Sequence, residues 1–370
     1  MSAHAGRNRA PPRLVLIIGS LQGGGAERQM SDMANYWAAR GAQVTLATWS
    51  GPEVKDFYAL ASGVSRKWLN VSLPRHALFS AFVSSVRRVR KLRLVLRGLR
   101  PDAILSFIDI SNIYTLLATR GMNVRVVVSE RTHPAINRTV GMTWRVLRRI
   151  CYRRADAVVA QTQDAADWLE LSCHARVRVI PNSLRNLPRI QCEREPLIIA
   201  VGRLSREKGF DLLMRSFARI AADHPMWRVC ILGEGTERQA LEDMCDALSL
   251  RDRVEFLGEV RDVEAWMARA SLLVHPSRRE GFPNTVLEAM GMGLAVICAD
   301  CRAGPSELIE DGINGRLVPV DDLDALTSAM SELMTKPEVR ARLGRQASLV
   351  REQYRQESIM DKWDLILDGK

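Results

Sequence analysis

The chain has 370 residues, 47% hydrophobic and 26% charged, a composition that belongs to folded globular proteins and excludes disordered or fibrous ones. That length accommodates two domains of about 180 residues, each large enough to bury a core. Its 53 Lys and Arg exceed 42 Asp and Glu, leaving a net charge of +11, which favours an anionic partner without choosing among nucleic acid, phosphorylated small molecules and acidic membranes.

Residues 1–12 carry Arg and Pro but no apolar stretch of a secretory signal, and are expected to be a disordered extension. Arg13 to Ile18 reads as a buried strand. A glycine-rich turn, Gly19 to Gly25, follows, and then a helix from Ala26 to about Arg40 with Met30, Met33, Ala34 and Trp37 at helical spacing. Val44 to Thr48 completes a strand–helix–strand unit. Ser80 to Arg100 has Phe82, Val86, Val89, Leu92, Leu96 and Leu99 at steps of three and four, with Arg87, Arg90, Lys91 and Arg97 opposite. Its polar face suits either solvent or an anionic lipid or diphosphate headgroup. Further strands are expected at 102–106, 124–129, 157–160 and 177–180. The second of these ends in SERTHP, which sets Glu130, Arg131 and His133 at a strand's carboxyl end.

Pro181 to Pro196 has three prolines and no period, and reads as the hinge. The alternation then restarts, with strands at 197–201, 228–232, 254–257, 271–274 and 295–298. Helices fall near 210–223, 236–248, 283–291, 321–334 and 337–354, before a last apolar turn at 363–367. No apolar run reaches the roughly 20 residues of a membrane span, and a cytoplasmic location is expected. The seven cysteines lack regular spacing and suit reduced thiols. Cys298 and Cys301 form one CxxC without a second pair or matching His, so packing rather than metal binding is expected there.

Three places carry chemistry. Gly23, Gly24 and Gly25 bring backbone N–H groups close to a helix start, which favours a phosphate or sugar ligand. The spacing is not that of the dinucleotide fingerprint. GRLSREKG, Gly202 to Gly209, places Arg203 and Lys208 on a strand-to-helix loop, a pairing that suits a diphosphate, and the Gly233 to Gly235 turn is a weaker echo of it. HPSRREGFPNTVLEAM, His275 to Met290, puts Glu280 on a loop and Pro283 at the opening of a helix that contains Glu288. Two staggered acids can hold different parts of one ligand. Aromatic residues make up 6% of the chain and do not interleave with the basic helix, so nucleic acid is not expected as a partner.

These motifs occur in the order found in family 4 retaining glycosyltransferases, which the chain resembles over nearly all its length: GSLQGGGAER, GRLSREKG, Glu280 and Glu288 in an E-x7-E pattern, and GPSELIEDGINGRLVP at Gly304 to Pro319. The resemblance implies an α/β GT-B fold, two doubly wound Rossmann-like domains facing across a cleft. The first, 13–182, would bind acceptor and the second, 196–355, nucleotide-sugar. A linker at 183–195 would join them, and 356–370 would form a helix crossing back to the first domain. It further implies catalysis by Glu280, Arg203 and Lys208 with no metal or other cofactor. Gly24, Gly25, Gly233, Gly235, Gly281, Phe282, Pro283 and Asn284 would contact the donor, with Glu288 on the ribose. Glu130, Arg131 and His133 would lie near acceptor or sugar, although many relatives carry His where this chain has Arg131. SFIDISNI, Ser106 to Ile113, and WRVLRR, Trp144 to Arg149, are similar to enzymes that extend polyprenyl-diphosphate-linked glycans. Together with the basic helix they imply a lipid-linked saccharide acceptor, and peripheral attachment to an anionic membrane is expected through Arg87, Arg90, Lys91 and Arg97; the expected donor is a UDP-sugar, with GDP-sugar second. The rival readings are a nucleotide-sugar epimerase on the same fold and a non-catalytic nucleotide-sugar-binding protein.

Overall fold

The computed structural model describes residues 12–71, 80–135, 141–187, 192–302 and 304–369. The expected N-terminal extension (apart from Pro12), the side chain of Phe82 and the hinge residues 188–191 lie outside the described residues. The chain divides into two compact units, Met1–Ile180 with Met360–Lys370, and Pro181–Ile359.

In the first unit, strands β1 (Arg13–Ile18), β2 (Gln43–Thr48), β3 (Val64–Trp68), β4 (Ala103–Phe107), β5 (Arg125–Ser129), β6 (Ala157–Ala160) and β7 (Val177–Val179) form a sheet in the order β3-β2-β1-β4-β5-β6-β7. Every pairing is parallel. Helices α1 (Gly25–Ala39), α2 (Ser80–Leu99), α3 (Asp109–Ala118), α4 (Met142–Tyr152) and α5 (Gln163–Cys173) make the crossovers. Strands covered on both faces read as unbroken apolar runs, which is why β1, β4 and β6 are plain in the sequence. The edge strand β3, VSRKW, buries only Val64 and had no such signal.

In the second unit, β8 (Glu195–Val201), β9 (Arg228–Leu232), β10 (Val254–Gly258), β11 (Ala270–His275), β12 (Ala295–Ala299) and β13 (Arg316–Val318) form a parallel sheet ordered β10-β9-β8-β11-β12-β13. Its helices are α6 (Phe210–Ile220), α7 (Arg238–Ala247), α8 (Val263–Arg269), α9 (Asn284–Gly291), α10 (Pro305–Leu308), α11 (Leu323–Thr335), α12 (Pro337–Ala347) and α13 (Val350–Gln353). Short α8, α10 and β13 were not expected, each being too brief to show a period. Helix α9 begins at Asn284, with Pro283 as its N-cap rather than its first helical residue.

The 183–195 segment is more than a tether. Leu184 and Leu187 are buried in the second unit's core, and the Leu184 N–H donates to the Tyr354 carbonyl at 2.7 Å. A last helix, α14 (Gln356–Asp368), carries the chain back to the first unit. There Trp363 packs on Phe107 with ring centroids 6.2 Å apart, and Trp37 Nε1 donates to Asp364 Oδ1 at 2.7 Å.

Strand order reverses between β1 and β4 in one sheet and between β8 and β11 in the other. At such a point neighbouring crossovers leave in opposite directions, so the carboxyl ends of the two strands open a crevice.

Candidate active site

Both halves of the strongest constellation lie at the second unit's reversal. Lys208 follows β8, in a 3-10 turn at Arg206–Lys208, and Glu280 follows β11. Arg278 clamps the two loops together. Its backbone N–H donates to the Glu207 carbonyl at 2.8 Å, and its guanidinium donates to the Arg206 carbonyl at 2.6 Å and grips both oxygens of Asp211. Gly209 fits the same junction at φ 69, since a Cβ there would lie 2.1 Å from the Pro276 carbonyl oxygen. A side chain at that position is excluded by backbone, and the φ itself suits glycine.

The clamp places Lys208 Nζ 2.6 Å from Glu280 Oε1. His275, the last residue of β11, reaches the same oxygen with Nε2 at 2.6 Å, while Ser277 Oγ lies 3.1 Å from that nitrogen. An ionised carboxylate only accepts hydrogen bonds, so Nε2 carries the proton. Burial of Glu280 opposes its ionisation, but Lys208 and His275 outweigh it and hold the carboxyl at about 2. Glu280 is thus a fixed anion and a weak base. Arg203 is exposed and, among the described residues, makes no side-chain hydrogen bond or ion pair, which leaves a guanidinium directed to solvent beside the Lys208 loop.

Other expected donor residues are tied into the fold. Glu288 is buried, with Oε1 3.7 Å from Arg185 Nε, and Arg185 also pairs with Glu264. Asn284 Oδ1 accepts from Asn182 Nδ2 at 2.6 Å. Arg185 and Asn182, both in the segment expected as hinge and linker, were missed because neither stands in a recognisable motif. Gly233 and Gly235 have a packing reason: Cβ atoms there would come 2.0 Å from the Gly202 carbonyl and 2.2 Å from the Leu204 carbonyl. Phe282 is buried with its ring 6.2 Å from Tyr354, between Gly281 and Pro283. Burial raises the thiols of Cys298 and Cys301, the latter to about 12, so both remain protonated and packed.

In the first unit the reversal lies between β1 and β4. After β1, the N–H of Gly24 donates to Tyr58 Oη at 3.2 Å, and that hydroxyl donates to the Gly24 carbonyl at 3.1 Å. Gly25 is the first residue of α1. A Cβ on Gly23 would meet nothing within 4 Å, so packing does not demand glycine there. After β4, Ile108 sits at φ 74, a strained conformation for a β-branched residue.

Glu130, Arg131 and His133 are all buried. Tyr152 donates to Glu130 Oε1 at 2.6 Å, Arg148 Nη1 lies 3.6 Å from that oxygen, and Asn112 Nδ2 donates to Tyr152 Oη at 3.0 Å. Burial, reinforced by Asp109, raises the Glu130 carboxyl to about 7 against the pull of Arg148 and Tyr152. Arg131 stacks 4.3 Å above the Phe107 ring, and burial lowers its guanidinium to about 9. His133 Nδ1 accepts from the Ala135 N–H at 3.2 Å, and Nε2 lies 3.0 Å from Asp164 Oδ2. The SERTHP loop is therefore held from within by Tyr152, Arg148 and Asp164, partners the sequence did not indicate.

On α2, Leu92 and Leu96 are buried, Arg87, Arg90 and Arg97 are exposed and Lys91 is half-buried. The expected cationic face does point outward.

Comparison with known proteins matches residues 23–184 to the model for Glycosyltransferase Family 4 and residues 189–350 to that for Glycosyl transferases group 1. The chain is 27% identical to an uncharacterized glycosyltransferase of Haemophilus influenzae, covering 95% of this chain and 98% of that one. It is 26% identical, over 95% of this chain and 97% of the other, to a Campylobacter jejuni α-1,4-N-acetyl-D-galactosaminyltransferase acting on a GalNAc-containing saccharide on undecaprenyl diphosphate. Anabaena HepE in complex with UDP superposes with a TM-score of 0.77 at 18% identity, covering 97% of this chain and all of that one. With both halves matched and the two parallel sheets in place, the chain belongs to the family 4 glycosyltransferases of the GT-B fold.

Proposed function

We propose that this glycosyltransferase moves a hexose or N-acetylhexosamine from a UDP-sugar to a saccharide carried on polyprenyl diphosphate, with retention of configuration, in surface polysaccharide assembly at the cytoplasmic face of the membrane. GDP-sugar is the second choice of donor. The observation that carries the reading is Lys208 held on Glu280 at the strand-order reversal. A donor diphosphate offers Lys208 two negative charges in place of one carboxylate. As the C1–O bond to the β-phosphate breaks, charge grows on the phosphate oxygen, and Lys208 with Arg203 meets it without a metal ion. The acceptor oxygen bonds to C1, and its proton leaves with the departing phosphate.

His275 keeps its bond to Glu280 when Lys208 turns to the diphosphate, and the acceptor proton is assigned to the departing phosphate rather than to Glu280. As a fixed anion it suits stabilisation of positive charge on the sugar ring. Glu288, steadied by Arg185, suits ribose hydroxyls. The C. jejuni relative's acceptor and the UDP bound by HepE support the choice of lipid-linked saccharide and UDP. No described helix is long and apolar enough to cross a membrane, and the exposed cations of α2 suit an anionic surface. A panel of UDP- and GDP-sugars, read by thermal shift and hydrolysis, tests the donor. Stabilisation by UDP-sugars and loss of it in Lys208→Ala is expected; a response to neither class contradicts the reading.

A further inference from the structure

Two helices of the first unit contain no carboxylate: α2, SAFVSSVRRVRKLRLVLRGL, and α4, MTWRVLRRICY. Both bury their inner sides in one cluster, α2 through Leu92 and Leu96 and α4 through Cys151 and Tyr152. They therefore cover the same face of the seven-stranded sheet. Helix α3 packs against both and is buried at every position except Ile110 and Leu117.

The outward side of α4 is not simply polar. Met142, Val146 and Ile150 recur four apart, which stacks them along one ridge, and they are 72%, 47% and 58% exposed. Arg145, Arg149 and Arg153 are exposed beside that ridge. Helix α2 repeats the pattern, with Leu94 73% exposed among Arg90, Lys91 and Arg97. An apolar ridge lined by guanidinium groups fits the boundary between lipid headgroups and acyl chains. There the apolar side chains enter, while the Arg stems lie along them and deliver their charges to phosphates.

A second copy of the chain fits this ridge poorly. A two-fold contact would set the arginine row beside its own copy, and three side chains supply far less than the roughly 800 Å² per partner of a stable interface. Nucleic acid fits poorly as well, because among their described side chains neither helix offers an exposed aromatic ring for bases to stack on.

We infer that α4 is the membrane-inserting element of this protein, its Met142, Val146 and Ile150 entering an anionic leaflet whose phosphates are bound by Arg145, Arg149 and Arg153. The inference rests on the proposal that the enzyme works at an anionic membrane surface, and adds a hydrophobic anchor to the attraction exerted by α2. Charge attraction alone fades with salt, whereas apolar insertion persists.

Full-length protein is sedimented with vesicles of roughly one-third phosphatidylglycerol in phosphatidylcholine at about 0.1 M and about 0.5 M NaCl. Wild type is compared with Met142→Ser/Val146→Ser/Ile150→Ser and with Arg87→Ser/Arg90→Ser/Lys91→Ser. Wild type should bind at both salts. The α4 variant should lose about tenfold or more in partitioning at both, yet keep wild-type donor hydrolysis and thermal midpoint; the α2 variant should be weakened chiefly at low salt. Wild-type partitioning by the α4 variant overturns the assignment while leaving the membrane reading in place. Failure of wild type itself to bind overturns both. A wild-type dimer in free solution that the α4 substitutions split would also overturn the assignment, by showing a second copy on the ridge.

Discussion

Lys208 and Glu280 stand 72 residues apart in sequence and 2.6 Å apart in the fold, Nζ against Oε1. Neither residue's backbone brings this about unaided: the 3-10 turn holding Lys208 is bound to the loop after β11 through Arg278 and closely fitted at Gly209. Without donor, each charge satisfies the other. On the proposed reading, donor binding releases Lys208 to the diphosphate.

Lys208→Ala and Glu280→Gln should therefore each abolish transfer, lowering kcat by about 10²–10³ or more, the scale seen when a charge-stabilising group is removed. Circular dichroism should be unchanged in both. Turnover near wild type in either variant would remove the pair from the chemistry.

His275 should act through Glu280. Once Lys208 turns to the donor, Nε2 is what keeps the carboxylate oriented and ionised. His275→Ala is expected to lower kcat by about tenfold or more with little change in donor KM, and His275→Gln, which retains an N–H donor, to recover part of it. In wild type the Glu280 carboxyl lies at about 2 in the fold, below its unfolded value of about 4.3. Its contribution to stability is thus full above the unfolded value and disappears as pH falls towards 2. Acid unfolding of His275→Ala should begin at higher pH than that of wild type. Coincident acid curves, with His275→Gln losing as much kcat as His275→Ala, would reduce His275 to a packing residue.

Glu130 should give the opposite pH signature. Its folded value of about 7 lies above the unfolded one, so the native state binds the extra proton and stability falls as pH rises through the window between them. The loss is on the order of 2 kcal/mol from pH 5 to pH 8. Glu130→Gln, neutral throughout, should flatten that dependence in denaturant titrations. An unchanged slope would mean that the carboxyl is ionised across the window.

Chelation by EDTA should leave transfer largely intact, because Arg203 and Lys208 are assigned the charge that a metal would otherwise neutralise. Complete loss, restored by adding a divalent cation, would contradict that assignment.

Much of this was legible in sequence because it depends on periodicity and on loops between strands. The buried parallel strands, α2 with its outward cations and the two loops carrying Lys208 and Glu280 all announce themselves locally. Gly233 and Gly235 were legible as a strand-to-helix turn, but not the close approach of the Gly202 and Leu204 backbone that fills the space a Cβ would take at each. What stayed hidden is pairing at long range. Arg278 on Asp211, Arg185 on Glu288, and Arg148 with Tyr152 on Glu130 depend on the order of strands in the sheets, which no single stretch encodes. Ile108 at φ 74 was equally silent, since nothing about isoleucine suggests a left-handed turn.

The most direct measurement of the central claim is the product itself. Purified enzyme is given a labelled UDP-N-acetylhexosamine and a polyprenyl-diphosphate-linked saccharide, and the product is read by mass spectrometry and by the anomeric coupling in NMR. The prediction is an acceptor longer by one sugar whose anomeric configuration matches the donor's, and no such product from Glu280→Gln. Inversion, conversion of the donor sugar without any acceptor, or an equal yield from Glu280→Gln would contradict it.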